Sequence, residues 1–506
     1  MLVPIVQNYL STLLLERFKM IKNYYSIKIL LGMALLLIIS SAGHAAESAV
    51  KQFEPEQALN GDCVGCHVNV TPGVVKQHLD SPHASPKNKE DLVFCSSCHG
   101  EEHTEMDDWK EATMPNAEVC GECHKKQLRQ HKDGKHDLAW LAMRSQIGWH
   151  GQPGAVKESY RGCAGCHKIG KKGLLGVTDG NMGDVKLDDG EAEAAYRYGN
   201  TQCDACHTRH TFKKSEAQDP RACSNCHMGF DHPQWEMYSS AKHGIIWAIE
   251  GHEEGARAPT CQSCHLQEGD HAVKTPWGFL GLRIPTKENV LALIEVAPSL
   301  EPQLTKLAAA LPSGNYIDLD DDPTWTLNRA IILQASGVLD ADFQPTERFV
   351  ELVLQAQVAR GPEEFNELRV KMKENCNKCH SMGFVTEHMV ASDSILRESD
   401  ALFAKAIGVV NALYKDGILI KPEGWNYAPD LLQYYNVKTK VEQELYLIFL
   451  QYRQRTFQGA FHASNDYMHW YGWAPMTAAV NKIIEEDKKM RAAHAAKQLA
   501  AKKQGK

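Results

Sequence analysis

Residues 221–235 read RACSNCHMGFDHPQW. The run Cys223-Ser-Asn-Cys226-His227 is a Cys-x-x-Cys-His motif. Two thiols at that spacing form thioethers to a porphyrin, and the histidine that follows coordinates its iron, so the motif marks a covalent c-type haem. The chain repeats it eight times, and all 16 cysteines are used. The remaining motifs are Cys63/Cys66/His67, Cys95/Cys98/His99, Cys120/Cys123/His124, Cys163/Cys166/His167, Cys203/Cys206/His207, Cys261/Cys264/His265 and Cys376/Cys379/His380. A zinc ribbon also pairs cysteines as Cys-x-x-Cys. Neither a zinc site nor a disulfide has reason to put histidine after every pair. Eight covalent haems, each with its motif histidine as proximal ligand, are the expected cofactors.

The first seven motifs crowd into residues 63–265, at intervals of 20 to 43 residues rich in Gly, Pro, Asp and Lys. Such a stretch has little apolar side chain to bury, so porphyrin faces are expected to form its core. The texture then changes. Residues 287–380 read as helices, among them TERFVELVLQAQVARGPEEFNELRVKMKENC. From Ser392 the pattern is strongly helical, with Gly417 as a C-terminal stop. KVEQELYLIFLQYRQRTFQGAFH forms one long periodic segment. The last helix starts near Pro475, and Met476, Val480, Ile483 and Ile484 share one face. The fold class is therefore mainly α, a haem-packed N-terminal part followed by a long C-terminal helical bundle.

At the start, ILLGMALLLII (29–39) follows Lys22 and Lys28 and precedes the small residues Gly43 and Ala45. That is the pattern of a secretory signal, short for a membrane span. Met20 is an alternative start, and an uncleaved anchor is the alternative reading. The expected division is a signal peptide (1–46), a haem-rich domain (47–275), a helical connecting region (276–375), and a segment with the eighth haem and a helical trimerisation domain (376–506). Export to the periplasm or its equivalent fits haem attachment outside the cytoplasm, with no permanent membrane anchor. The formal charge is −8, and the leader itself carries about +3. That acidic balance argues against nucleic acid as a partner and suits a redox partner such as a small c-type cytochrome.

Of 24 histidines, 16 lie outside the motifs. A haem that only carries electrons takes a second axial ligand, whereas a catalytic haem keeps that position open. With one open site, seven distal ligands are needed. His83, His103, His136, His210, His243 and His271 lie among the motifs, and His462 lies on the long C-terminal helix.

The ordered motifs, with NTQCDACHTRHTF, the Asp-His pair of GFDHPQW, AKHG and the C-terminal GWAPM, resemble the hydroxylamine oxidoreductase family of octahaem cytochromes c. The resemblance extends, with gaps, over most of residues 60–490. It implies a helical homotrimer whose catalytic haem is the fourth, on Cys163, Cys166 and His167. It implies Asp231 and His232 as the distal pair that handles protons, and the seven histidines above as distal ligands. Two departures stand out. The interval between the seventh and eighth motifs is longer than the family's. The tyrosine that crosslinks to a neighbouring subunit's haem in hydroxylamine-oxidising members falls, in register with GWAPM, on His469. Tyr467 and Tyr471 lie two residues to either side as alternative crosslinking positions. A site without the crosslink implies reduction of nitrite. The alternatives are oxidation of hydroxylamine or hydrazine, and a non-catalytic multihaem electron carrier. Octahaem reductases of sulfur oxyanions often carry lysine as the proximal residue, and all eight motifs here end in histidine.

Overall fold

The computed structural model describes residues 61–84, 92–139, 164–167, 169, 202–251, 255–278, 280–320, 322–355, 359–433 and 437–504. The expected signal peptide and Cys163 lie outside them. The chain forms two compact units, residues 1–97 with 104–106, and residues 98–103 with 107–506. In the first, helices α1 (Gly61–Val70) and α2 (Pro72–Leu79) follow one another, with Pro72 opening the second.

The haem-motif part of the second unit is built of short helices and turns, including α3 (Lys125–Asp133), α4 (Gln234–Ser240) and α5 (Lys242–Glu250). Among its described residues before Trp277, the buried apolar side chains are few: Ala117, Met237, Tyr238 and Ala241. The side-chain core lies further on. Helices α6 (Lys287–Val296), α7 (Glu301–Ala309) and α8 (Pro323–Ala335) pack with α9 (Pro362–Asn377) and α10 (Met382–Lys415). They are joined by α11 (Lys440–Leu447), α12 (Arg453–Phe461) and α13 (Ala474–Gln504). Leu282, Leu293, Leu333, Phe403, Val410, Phe449 and Val480 belong to one continuous core, so the connecting region and the C-terminal helices bury their faces against each other. Two short parallel strands, β1 (Leu282–Arg283) and β2 (Ala359–Arg360), pair beside it. Among the described residues, no helix is long and apolar enough to cross a membrane.

Helix α10 shows why this part is helical. Ser381 caps its start by accepting from the Phe384 N–H. Its buried side chains include Val385, Met389, Leu396, Phe403, Val410 and Leu413, spaced to form one stripe. It ends at Gly417, whose φ of +67° places it in the left-handed region. The Gly417 N–H bonds the Tyr414 carbonyl and the Ile418 N–H bonds that of Leu413, the paired closure of a Schellman stop.

The same helix buries two carboxylates two turns apart, each held by an arginine and an indole. Asp393 receives the Arg369 guanidinium and, at 2.8 Å, Trp277 Nε1. Asp400 receives Arg453 Nε at 2.7 Å and Trp325 Nε1 at 2.9 Å. Burial without partners costs charges far more than apolar groups, so these contacts pin the connecting region and α12 to α10 in one register.

Two helical expectations need correction. The stretch from Thr346 to Cys376 is not uniformly helical. A wide π-type turn covers Phe349–Gln355, β2 follows, and α9 starts at Pro362 after the extended Gly361. Proline lacks an amide donor and favours a helix's first turn, which explains that restart. The segment from Lys440 to Phe461 runs on as expected, but its middle, Ile448–Tyr452, widens into a π-type turn. The last helix begins one residue before Pro475, and Met476, Val480 and Ile483 are buried, with Ile484 packed against them.

Candidate active site

Five of the distal candidates stand opposite a motif histidine. Ring centroids are 6.2 Å apart for His99 and His210, 6.3 Å for His207 and His271, and 6.1 Å for His227 and His136. They are 6.3 Å apart for His265 and His462, and 6.1 Å for His380 and His243. Two imidazoles on opposite sides of one metal, each nitrogen about 2 Å from it, leave their centroids roughly 6 Å apart. The spacing therefore fits an iron between each pair.

The ring nitrogens agree. Nδ1 of His67 faces Thr71 Oγ1 at 2.8 Å, that of His99 the Thr113 carbonyl at 2.8 Å, and that of His167 the Ala139 carbonyl at 2.9 Å. Nδ1 of His271 and His462 meets the carbonyls of Gly269 and Gln458 at 2.9 and 2.7 Å. An Nδ1–H donated to an oxygen fixes the tautomer that leaves Nε2 free to bind metal. Burial favours the neutral form, the one that ligates, at His136, His265 and His167. It lowers His136 to about 3 and His265 to about 4. It also takes His167 to about 4, although the Ala139 carbonyl opposes the shift.

The thiols record which motifs are neighbours. Cys120 lies within hydrogen-bond reach of Cys203, Cys223 of Cys261, and Cys166 of Cys226. Cys264 lies in the electrostatic field of Cys376 and Cys379. The sixth motif thus adjoins both the fourth and the seventh.

Four attachment thiols are left uncovered by protein side chains, in keeping with a core in which porphyrin faces take the place of side chains. Cys66 on α1 is exposed, and so are Cys123 in the turn before α3, Cys166 and Cys379. Each is the second cysteine of its motif. The first cysteines among the described residues, Cys63, Cys120 and Cys376 included, are half-buried. The physical reason is the scarcity of apolar side chains around the motifs. Few protein groups are present to cover a thiol there, and a thioether-bound porphyrin would supply the cover at Cys66 and Cys123. Cys123 still lies in the electrostatic field of Cys98, which places the third motif beside the second.

The His167 ring has a different neighbour. His232 stands 6.1 Å away, its plane turned by 77°. Its Nδ1 is 3.1 Å from Asp231 Oδ1. Burial alone would raise the Asp231 carboxyl, but the hydrogen bond and charge of His232, its own backbone N–H and His167 together hold it below the usual carboxylate range. A carboxylate on Nδ1 suits either a proton-exchanging imidazole or a strong ligand. The loop that carries the pair closes where the Trp235 N–H bonds the His227 carbonyl at 2.8 Å.

The other candidates are placed as follows. His103 Nδ1 meets Asp108 Oδ1 at 2.6 Å. The His83 carbonyl accepts from the Val93 N–H at 3.1 Å. His124 begins α3. Tyr467 is buried and stacks on the exposed Tyr471, centroids 5.0 Å apart, while His469 lies edge-on to Trp470. Both tyrosines flank or enter a π-type turn, Met468–Trp473. There Gly472 meets α12 so closely that a Cβ would stand 2.6 Å from the backbone nitrogen and Oγ1 of Thr456. Sequence reasoning missed two inward histidines, His131, which lies 3.7 Å from Asp137, and His388 on α10. It also missed the glutamines Gln234, Gln454 and Gln458. No spacing rule marks such residues.

Residues 91–282 match the family model of cytochromes described as carrying seven multihaem CxxCH motifs. A probable nitrite reductase–hydroxylamine oxidoreductase fusion protein of Kuenenia stuttgartiensis is 25% identical over 531 residues, covering 87% of this chain and 52% of that protein. The chain thus spans about half the length of the curated relative it matches. Among solved structures, the reducing hydroxylamine-oxidoreductase-like complex of Kuenenia stuttgartiensis is similar at a TM-score of 0.54 and 21% identity, covering 89% of this chain and 88% of that one. A hypothetical multihaem protein is similar at a TM-score of 0.56 and 18% identity, covering 89% and 99%. Helical bundle, paired histidines and attachment motifs together define a mainly α multihaem c-type cytochrome. Within that class the chain is similar to the hydroxylamine-oxidoreductase-like proteins named above.

Proposed function

We propose that the chain is an eight-haem oxidoreductase of small inorganic nitrogen compounds, and that its fourth haem, on Cys163, Cys166 and His167, is the one open to substrate. The observation that carries this reading is the Asp231–His232 pair set against the His167 ring. A haem bound there would supply an iron able to take up the substrate and exchange electrons with it. Asp231 engages His232 through Nδ1 and orients the ring, and Nε2 is the atom read as exchanging protons with substrate. The remaining motif histidines, with His83, His103, His136, His210, His243, His271 and His462, are read as axial ligands of seven electron-carrying haems. The four-part division at residues 46, 275 and 375, export to the periplasm, a homotrimer and a small c-type cytochrome as redox partner belong to the same reading.

The favoured direction is reduction of nitrite, to nitric oxide, hydroxylamine or ammonium. His469 occupies the crosslinking register, and Tyr467 is buried within its own chain. One observation favours the oxidative reading, hydroxylamine or hydrazine as substrate: Tyr471 is exposed and free to reach outward. One observation favours a non-catalytic electron carrier: the His167–His232 spacing of 6.1 Å falls in the 6.1–6.3 Å range of the five other pairs.

The test is a paired assay on the purified haem-loaded protein. Nitrite-dependent oxidation of a reduced dye is expected to outrun hydroxylamine-dependent reduction of the haems. The reverse order would transfer the function to the oxidative reading, and silence in both assays would favour the electron carrier.

A further inference from the structure

Gln234, the first residue of α4, joins an expected haem ligand to the helical bundle. Its Oε1 lies 3.2 Å from His227 Nδ1, and its Nε2 donates to Gln458 Oε1 at 2.7 Å. Gln458 in turn donates from Nε2 to Gln454 Oε1 at 2.9 Å. Gln458 and Gln454 are both buried. An amide can present either oxygen or nitrogen, and here the chain of donors decides. Because Gln234 Nε2 is taken by Gln458, the oxygen of Gln234 is the atom turned to the imidazole. The main-chain carbonyl of Gln458 accepts from His462 Nδ1. One residue of α12 therefore touches the support of two axial histidines, those of the sixth and seventh motifs. Its neighbour Arg455 donates from Nη2 to the Gly229 carbonyl at 3.4 Å, on the loop that carries Asp231 and His232.

We propose that Gln234 and Gln458 are positioning residues that set the potential of the sixth haem through His227 Nδ1. This rests on reading His227 as an axial ligand. An acceptor on Nδ1–H makes the imidazole more basic towards iron. A more basic ligand favours the ferric state and lowers the potential. The effect falls at a junction, because Cys226 adjoins Cys166 of the fourth motif and Cys223 adjoins Cys261 of the seventh. Electrons passing between the catalytic site and the bundle-side haems meet a step whose height the two glutamines set. Side-chain amides do this without adding charge to a buried site.

The experiment is a redox titration of the haem-loaded protein, followed optically and by electron paramagnetic resonance of the low-spin haems. Gln234→Leu and Gln458→Leu are each expected to raise the midpoint of one and the same low-spin haem. A tenfold change in its reduced-to-oxidised ratio at fixed potential corresponds to about 59 mV. Gln458→Glu keeps an acceptor for Gln234 Nε2 and must not raise that midpoint. His136→Met, which alters the ring opposite His227, identifies the haem by changing its low-spin signal. If His136→Met changes one haem and the leucine variants leave that haem's midpoint alone, the glutamine relay is wrong and the ligand assignment stands. A uniform shift of all haems in the leucine variants also overturns the relay, since it reports general loosening. If His136→Met changes no haem signal, the assignment of the ligands falls and the relay falls with it.

Discussion

Asp231 Oδ1 stands 3.1 Å from His232 Nδ1, and the His232 ring faces that of His167 at 6.1 Å with the planes at 77°. Two uses of His232 fit that relationship, proton exchange with a substrate or ligation of the iron, and they diverge on mutation. If it exchanges protons, His232→Ala lowers turnover by about 10²–10⁴-fold, the usual span for a lost acid–base group. Asp231→Asn, which removes the support, lowers it by about tenfold or more. Haem content per chain, read from absorbance, stays unchanged in both. Unchanged turnover in His232→Ala would remove that residue from the catalytic assignment.

The tyrosines at the C-terminal turn bear on direction. Tyr467 is buried and stacked on Tyr471, and His469 lies between them in sequence. A boiled, reduced sample on a denaturing gel, stained for haem, is expected to run as a single band at monomer mass. A covalent trimer band would assign the link to one of the two tyrosines, Tyr471 first because it is exposed, and would make oxidation the leading function.

Gly472 is held by contact rather than by conformation. A methyl group there meets Thr456 backbone and Oγ1 at 2.6 Å, so the π-type turn and α12 must separate. Gly472→Ala should destabilise the bundle by about 1–3 kcal/mol, as overpacking does. Thermal unfolding followed by helix signal measures it. An unchanged midpoint would show that the turn moves freely.

Asp393 carries a pH signature. Burial pushes its carboxyl up to about 6, against the pull of Arg369 and Trp277. Between an ordinary value of about 4 and that value, the folded chain holds the proton more tightly than the unfolded chain. Its contribution to stability is therefore complete below about pH 4 and is lost as pH rises through about 6. Asp393→Asn, which cannot ionise, should cost most at pH 4, and that cost should shrink by up to about 3 kcal/mol by pH 7. Denaturant unfolding of both proteins across that range decides it. A cost that grows with pH would show the ion pair with Arg369 outweighing burial.

What was legible in the sequence follows from how locally each feature is encoded. A haem attachment motif fits within five residues, so the proximal histidines are readable directly. How far protein side chains cover each thiol is not so local. The opposite histidines are not local either: His210 reaches His99, and His462 reaches His265, across long stretches of chain. Family resemblance, rather than periodicity, marked them. The α10 stripe and its glycine stop were readable because helix period and left-handed φ leave plain traces. Gly361-Pro362 left a trace as well, yet the apolar run around it masked the restart of α9. Partners from distant segments left none. Asp393 and Asp400 read as polar positions on a helix, and only the fold brings Trp277, Arg369, Trp325 and Arg453 to them. Gln234 and Gln458 are equally silent, because a glutamine's role depends on which end of its amide a neighbour holds.

The open fourth haem is tested most directly by counting carbon monoxide bound to the fully reduced, haem-loaded protein. One molecule per chain is expected, with seven haems left unaltered in the optical spectrum. No binding at any haem would mean that His232 occupies the sixth position opposite His167, and the chain would then be an electron carrier.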